Sequence, residues 1–293
     1  MDIRFQWSRC RGGVTFFGDK SGIVSLRSTS SSTLTILSVA IPKAEPQAYL
    51  LCAIRVLLIG LPLPVLLPLH LLWQLLMLPS PWAMLYLRIV SRVLGARVKV
   101  HGKRLRKDVF FVANHLSWHD IPIFGGVTGT AFVAQDGVRK WPIIGWLATQ
   151  NRTIFVNRAG KQQVASQINV LREAIAENWS VTLFPEGTTS DGLGLLPFKP
   201  SLFETLAPPP RPIMIQPVLL DFGDAGRDIA WLGEETGGES AWRAFTRKGS
   251  YEVGVHFLEP FDPSLLADRK EVCARARAGI ADALSKSLGY VVR

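Results

Sequence analysis

The chain has 293 residues, 48% hydrophobic and 19% charged, with 33 Lys and Arg against 23 Asp and Glu for a formal net charge of +10. That length builds one sizeable core with appendages, or at most two domains. The three cysteines, Cys10, Cys52 and Cys273, are odd in number and far apart, which excludes a disulfide framework and a Cys-x-x-Cys redox or metal site. A mean hydropathy of +0.21 and a pI near 9.9 suit a protein lying against anionic lipid. Nucleic acid is the competing partner for such charge, but no zinc-finger, RNA-binding-sheet or helix-turn-helix pattern supports it.

Residues 1–47 are rich in Ser, Thr and Gly, include the run 28–33 (STSSST) and show no sustained period. They read as a flexible tail, with a transit peptide as the alternative. Residues 48–78 are the most apolar part of the chain, and Arg55 is the one charge among them. As a helix, 56–78 would cross a hydrocarbon core of ~30 Å. Pro62, Pro64 and Pro68 each remove a backbone donor, so either a kinked span or a bent hairpin that returns to its own leaflet is expected. A membrane-embedded helical segment is drawn over 48–95, with Trp73, Trp82 and Tyr86 as interfacial aromatics. Then come Arg88, Arg92, Arg97, Lys99, Lys103, Arg104, Arg106 and Lys107, with no acid among them. A basic block after an apolar segment marks the cytoplasmic side. It would also hold the next domain on anionic headgroups at ~1 kcal/mol per charge close to the surface.

Val109–Ala113 (VFFVA) has the pattern of an inner strand covered on both faces. Asn114, His115, His119 and Asp120 follow it, where reacting groups collect in open α/β sheets. Five steps along one helix would turn Asp120 roughly 140° away from His115. His115 is therefore expected in the turn, before the helix carrying Asp120 begins. A carboxylate beside an imidazole fixes its tautomer and makes the other ring nitrogen a base near neutral pH. A hydrogen-bonded structural histidine is the plainer reading, and His119, adjoining Asp120, is the rival base. His115 and His119 at i and i+4 also suit a metal, but no third ligand stands near and none is assigned.

Further inner strands are read at 130–135 and 153–156, separated by the aromatic run 141–146 (WPIIGW) and followed by Asn157 and Arg158. Residues 161–178 have helical periodicity. The strand 181–184 ends in Pro185-Glu186-Gly187-Thr188-Thr189-Ser190-Asp191-Gly192, whose glycines, hydroxyls and backbone amides suit a phosphate or a polyol. Glu186 would accept from a substrate hydroxyl; a plain surface turn has the same composition. Residues 223–249 read as an irregular excursion, 253–258 as a late strand and 263–288 as a closing helix. The fold class is α/β, a mixed sheet flanked by helices over 96–262, with the membrane-embedded segment before it and a C-terminal helix in 263–293.

These residues resemble the membrane-bound glycerolipid acyltransferases typified by 1-acylglycerol-3-phosphate acyltransferase. Asn114 to Asp120 looks like the family's His-x4-Asp block, 154–158 (IFVNR) its second, 184–190 (FPEGTTS) its third, and 213–218 (IMIQPV) its fourth. The departure is Thr189, which stands where many members have arginine and resembles the branches acting on lysophosphatidylcholine or lyso-ornithine lipid. The resemblance implies acyl transfer from a thioester, acyl-carrier protein or coenzyme A, to a lysolipid hydroxyl, with membrane lipids as partners and no cofactor or metal. It implies His115 as base, since it alone has the four-residue gap, with Asp120 orienting it. Arg158, Glu186, Gly187, Thr188 and Thr189 would bind the acceptor, and Lys199 is a candidate for lining the site. The expected acceptor is 1-acyl-sn-glycerol-3-phosphate, giving phosphatidic acid, with lyso-ornithine lipid or another lysophospholipid as the alternative. A lipid hydrolase using the same base on water is the alternative of another class.

Overall fold

The computed structural model describes residues 14–18, 24–28, 45–78, 80–139, 141–156, 171–173, 175–176, 180–233 and 235–292. Arg158 lies outside them, and of the helix expected over 161–178 only Leu171, Arg172, Glu173, Ile175 and Ala176 are described, all helical. The chain divides into two compact units, Met1–Leu50 and Leu51–Arg293. Most of the stretch read as a flexible tail lies outside the described residues. Within it, β1 (Val14–Gly18) and β2 (Val24–Ser28) pair antiparallel, with Val14 opposite Ser28 and Gly18 opposite Val24.

The apolar segment forms α1 (Pro46–Gly60) and α2 (Leu63–Leu75), followed by α3 (Trp82–Val93). By length and composition, Pro46–Leu75 is able to cross a membrane, with a mean hydropathy of 2.4. The break falls at Leu61 and Pro62, because Pro62 has no N–H to continue the ladder. Leu61 N still bonds Leu57 O, and Leu66 N resumes the pattern on Pro62 O, both at 2.8 Å. Two buried polar side chains tie these helices to the rest of the unit. Arg55 Nη1 donates to Ala244 O at 2.8 Å. The His70 ring lies 2.7 Å from Ser80 Oγ and 3.1 Å from Gln150 O.

The main sheet has seven strands in the order β3-β9-β8-β4-β7-β5-β6. They are β3 (Ala96–His101), β4 (Val109–Ala113), β5 (Ala131–Gln135), β6 (Ile154–Val156), β7 (Ser180–Leu183), β8 (Met214–Asp221) and β9 (Tyr251–Phe257). All neighbours pair parallel except β8 with β9, which makes the sheet mixed. Every residue of β4 is buried, and its side chains alternate between two cores as the period of a strand requires. Phe110 and Val112 join Ile215, Leu219 and the inner face of the C-terminal helix α7 (Arg269–Leu288) at Val272, Ala276 and Ile280. Val109, Phe111 and Ala113 face Ile123, Phe124 and Phe132 on the other side. Phe110 and Phe111 are 0% and 1% exposed, and truncating either to alanine would cost about 3–5 kcal/mol.

Helix α4 (Asp120–Thr128) starts one residue after His119 and packs on α3. The approach is close because Gly125 and Gly126 face α3. A Cβ on Gly126 would stand 2.8 Å from Arg88 N and Cα, which are backbone atoms that cannot swing aside. Helix α5 (Pro142–Gln150) covers the aromatic run, and α6 (Gly237–Thr246) occupies part of the stretch read as irregular. Thr236 and Glu239 close a capping box on α6: Thr236 Oγ1 accepts from Glu239 N at 3.2 Å and Glu239 Oε2 from Thr236 N at 2.8 Å.

Candidate active site

The site forms where β4 and β7 end side by side. Asn114, just past β4, bonds across to β8 in both directions, its Nδ2 donating to Leu220 O at 3.0 Å and its Oδ1 accepting from Leu220 N at 2.8 Å. That amide continues the ladder for one more rung and fixes where the chain leaves the sheet. His115 is the next residue, in the turn, with Asp120 at the start of α4. His115 Nδ1 lies 2.6 Å from Asp120 Oδ2. The same oxygen accepts from Leu116 N at 2.7 Å and Ser117 N at 3.0 Å. Asp120 is wholly buried while the His115 side chain is 20% exposed, so the acid is locked behind the ring and the ring looks outward. With Nδ1 committed to an acceptor, Nε2 is the nitrogen left to take a proton.

The turn after β7 wraps the same histidine. Glu186 accepts from His115 N through Oε1 and from Leu196 N through Oε2, each at 2.9 Å. Ser190 returns the tie, its N donating to His115 O at 2.8 Å and its Oγ to the same oxygen at 3.2 Å. Phe184 stacks on the imidazole with ring centroids 4.4 Å apart. Burial pushes the Glu186 carboxyl up to about 7, against the backbone N–H groups of Leu196 and His115, which stabilise its charge. Both Glu186 oxygens are thus engaged by the protein, and the residue braces the His115 backbone as well as neighbouring its ring.

Gly187 holds the left-handed conformation that reverses the chain here, φ 74°. Its carbonyl lies 3.4 Å from Gln135 Nε2 at the end of β5. Thr188 is exposed, whereas Thr189 donates its hydroxyl to Trp231 O. Trp231 N in turn donates to Leu116 O at 2.9 Å, so the loop after β8 closes over the His115 turn. Lys199 is exposed; its backbone N bonds Pro185 O at 3.1 Å.

His119 points elsewhere. It is 3% exposed, its Nδ1 lies 2.7 Å from Tyr251 Oη, and burial with the charges of Arg243, Arg247 and Arg55 holds its imidazole down to about 3. The two histidines therefore do not converge on a common point, as metal ligands four residues apart would have to. Among the described residues no group of three or more His, Cys, Asp or Glu is placed to hold a metal ion. The partners Phe184, Leu196, Ser190 and Tyr251 carry roles that single positions in the sequence do not announce. Ser190 and Phe184 flank the Glu186 turn and were reachable from it, while nothing local marks Leu196 or Tyr251.

A buried acid holding an imidazole at the carboxyl ends of the central strands β4 and β7, with a hydroxyl-rich turn folded around it, is an arrangement suited to acyl transfer. Residues 97–221 match the family model described as Acyltransferase. The chain is 36% identical over 209 residues to a lyso-ornithine lipid O-acyltransferase of Rhizobium meliloti (strain 1021), covering 67% of this chain and 70% of that protein. It thus belongs to the acyltransferase family. A lyso-ornithine lipid O-acyltransferase of Brucella abortus (strain 2308) is 33% identical, covering 67% and 80% of the two chains. A 1-acyl-sn-glycerol-3-phosphate acyltransferase of Neisseria gonorrhoeae is 36% identical over a shorter stretch, 33% of this chain and 38% of its own. The fold is that of the 1-acyl-sn-glycerophosphate acyltransferase PlsC from Thermotoga maritima, with a TM-score of 0.61 at 20% identity over 82% of this chain and 94% of that one.

Proposed function

We propose that the protein transfers a fatty acyl group from an acyl thioester, carried by acyl-carrier protein or coenzyme A, to the free hydroxyl of a lysolipid at the membrane. The observation that carries the reading is the 2.6 Å contact between His115 Nδ1 and Asp120 Oδ2, with the acid buried and the ring exposed. His115 Nε2 removes the acceptor's hydroxyl proton as its oxygen attacks the thioester carbonyl. The tetrahedral intermediate collapses, the C–S bond breaks, and the proton held on the imidazole passes to the departing thiolate. General-base assistance of this kind contributes about 10²–10⁴ in rate. Asp120 sets the tautomer and stabilises the imidazolium. The turn from Glu186 to Thr189, together with Arg158, orients the acceptor.

For the acceptor we favour lyso-ornithine lipid over 1-acyl-sn-glycerol-3-phosphate. An ornithine headgroup carries a carboxylate and an ammonium in place of a phosphomonoester, and so makes less demand for a second guanidinium beside Arg158. Thr189, at the position where the related phosphate-binding enzymes have arginine, instead secures the loop at Trp231. Two lyso-ornithine relatives, each aligned over 67% of this chain, support the same choice. We place the catalytic domain on the cytoplasmic face, because the basic block from Arg88 to Lys107 follows the apolar segment.

The test offers the purified full-length protein lyso-ornithine lipid, 1-acyl-sn-glycerol-3-phosphate and lysophosphatidylcholine, each with acyl-carrier-protein and coenzyme A thioesters, and reads products by mass spectrometry. O-acylated ornithine lipid formed only when a thioester is present is the expected result. Phosphatidic acid as the sole product would reassign the acceptor, and free fatty acid without a donor would make the protein a hydrolase.

A further inference from the structure

Away from His115, a cleft of about 450 Å³ opens between α3, β3 and the end of α4. Arg88 and Arg92 reach it from α3, Arg104 and Arg106 from the connection between β3 and β4, and Val98 and Ile123 contribute to an apolar floor; no acidic residue lines it. Two of the guanidiniums are partly committed. Arg88 Nε donates to Gly126 O at 3.1 Å and Arg104 Nη1 to Val127 O, near the carbonyl end of α4. Arg92 and Arg106 are exposed, and neither guanidinium has a hydrogen bond or ion pair among the described residues. Burial, with Arg106 and Arg88 beside it, holds the Arg104 guanidinium below its usual value. Like charges gathered around one concave wall repel one another, and a bound anion removes that repulsion.

The cleft has the volume of a small-ligand site, and a protein partner would need a much broader face, about 800 Å² on each side. Helix α3, which supplies two of the arginines, follows α2 of the apolar segment after a short connection and packs against it. Lipid headgroups are therefore the anions nearest at hand.

We propose that this cleft binds the phosphate of an anionic phospholipid, with Arg92 and Arg106 donating to its oxygens and the apolar floor taking the glycerol. The site is separate from the acceptor site. It rests on the reading of the chain as an enzyme of the membrane surface, and its occupant is a resident lipid that seats the domain. Guanidiniums suit the task because they stay charged and meet phosphate with two parallel donors.

The experiment takes the full-length protein in detergent micelles, adds dihexanoyl phosphatidylglycerol, dihexanoyl phosphatidylcholine or inorganic phosphate, and counts retained ligand by native mass spectrometry. Wild type is expected to retain one phosphatidylglycerol. Arg92→Gln with Arg106→Gln should weaken retention about thirtyfold, the effect of two charges near the surface, and the Lys pair at both positions should restore part of it. Lys270→Gln with Lys286→Gln, an equal charge loss on exposed positions of α7, should leave retention unchanged. Equal retention by wild type and the Arg92/Arg106 variant overturns the proposal. So does equal retention of phosphatidylcholine by the wild type, or displacement of the lipid by inorganic phosphate at equal concentration. Because the readout is lipid retention, its failure leaves the acyl-transfer reading untouched, and an inactive enzyme that still retains the lipid leaves this one standing.

Discussion

His115 and His119 show how burial divides labour between identical side chains. The first keeps a fifth of its side chain in solvent and an acid on Nδ1; the second is enclosed with Tyr251. His115→Ala should abolish acyl transfer with little change in melting temperature. His119→Ala should retain measurable turnover while losing about 2–4 kcal/mol of stability, since a buried ring and the partner of a buried hydroxyl both go. Activity assays paired with denaturant unfolding check both. A pH dependence follows from Glu186, raised from 4.5 to about 7 in the fold, and His119, lowered from 6.5 to about 3. As pH falls from about 7 towards 4.5, the folded state takes up a proton at Glu186 more readily than the unfolded chain, which adds stability. Below 6.5 the unfolded chain protonates His119 and the fold does not, which removes it. Glu186→Gln should therefore lose stability on acidification more steeply than wild type, read as melting temperature between pH 8 and pH 5. The His-x4-Asp spacing was legible because one turn joins the two residues. The braces on His115 were not, because they are backbone bonds made by side chains more than 70 positions along the chain.

The apolar helices are each too short to span a bilayer alone: 15 and 13 residues rise about 22 Å and 20 Å against a core of ~30 Å. Arg55 and His70, 15 residues apart, bond Ala244 O and Gln150 O, which ties each helix to the α/β part of the same unit. In a chain with serine at its native cysteines, Gln47→Cys and Met77→Cys should label from the same side of sealed vesicles; labelling from opposite sides would mean a full span. Where α3 meets α4, Gly126→Val should destabilise by about 1–3 kcal/mol, as overpacking against backbone does. Gly194→Ala, with nothing within 4 Å of its Cβ position, should not. Apolar runs made β4, β5, β6, β7 and β9 readable. β3 (ARVKVH) was hidden by its basic residues on the sheet edge. β8 was hidden by Pro217, which is tolerated there because the antiparallel pairing with β9 begins only at Val218. α6 was masked by Gly237 and Gly238, poor helix formers that sit in the first turn, though Thr236 and Glu239 at capping-box spacing were a usable signal.

The net charge of +10 is unevenly placed, with the block from Arg88 to Lys107 next to the apolar helices. Raising salt from about 0.1 M to about 1 M shortens the screening length from ~10 Å to ~3 Å. Turnover on vesicles containing phosphatidylglycerol should fall over that range, while turnover on phosphatidylcholine vesicles stays level. Ile143, Ile144 and Trp146 are exposed on α5, the helix whose last residue, Gln150, bonds His70, and they add apolar surface to that of α1 and α2. The anchoring of α1 and α2 to the unit that carries His115 has a kinetic corollary. An enzyme that takes a lipid acceptor from the surface it is bound to meets that acceptor by a two-dimensional search, so its rate tracks the mole fraction of lysolipid in the surface. Mixing inert lipid into the vesicles slows such an enzyme, and adding buffer around them does not.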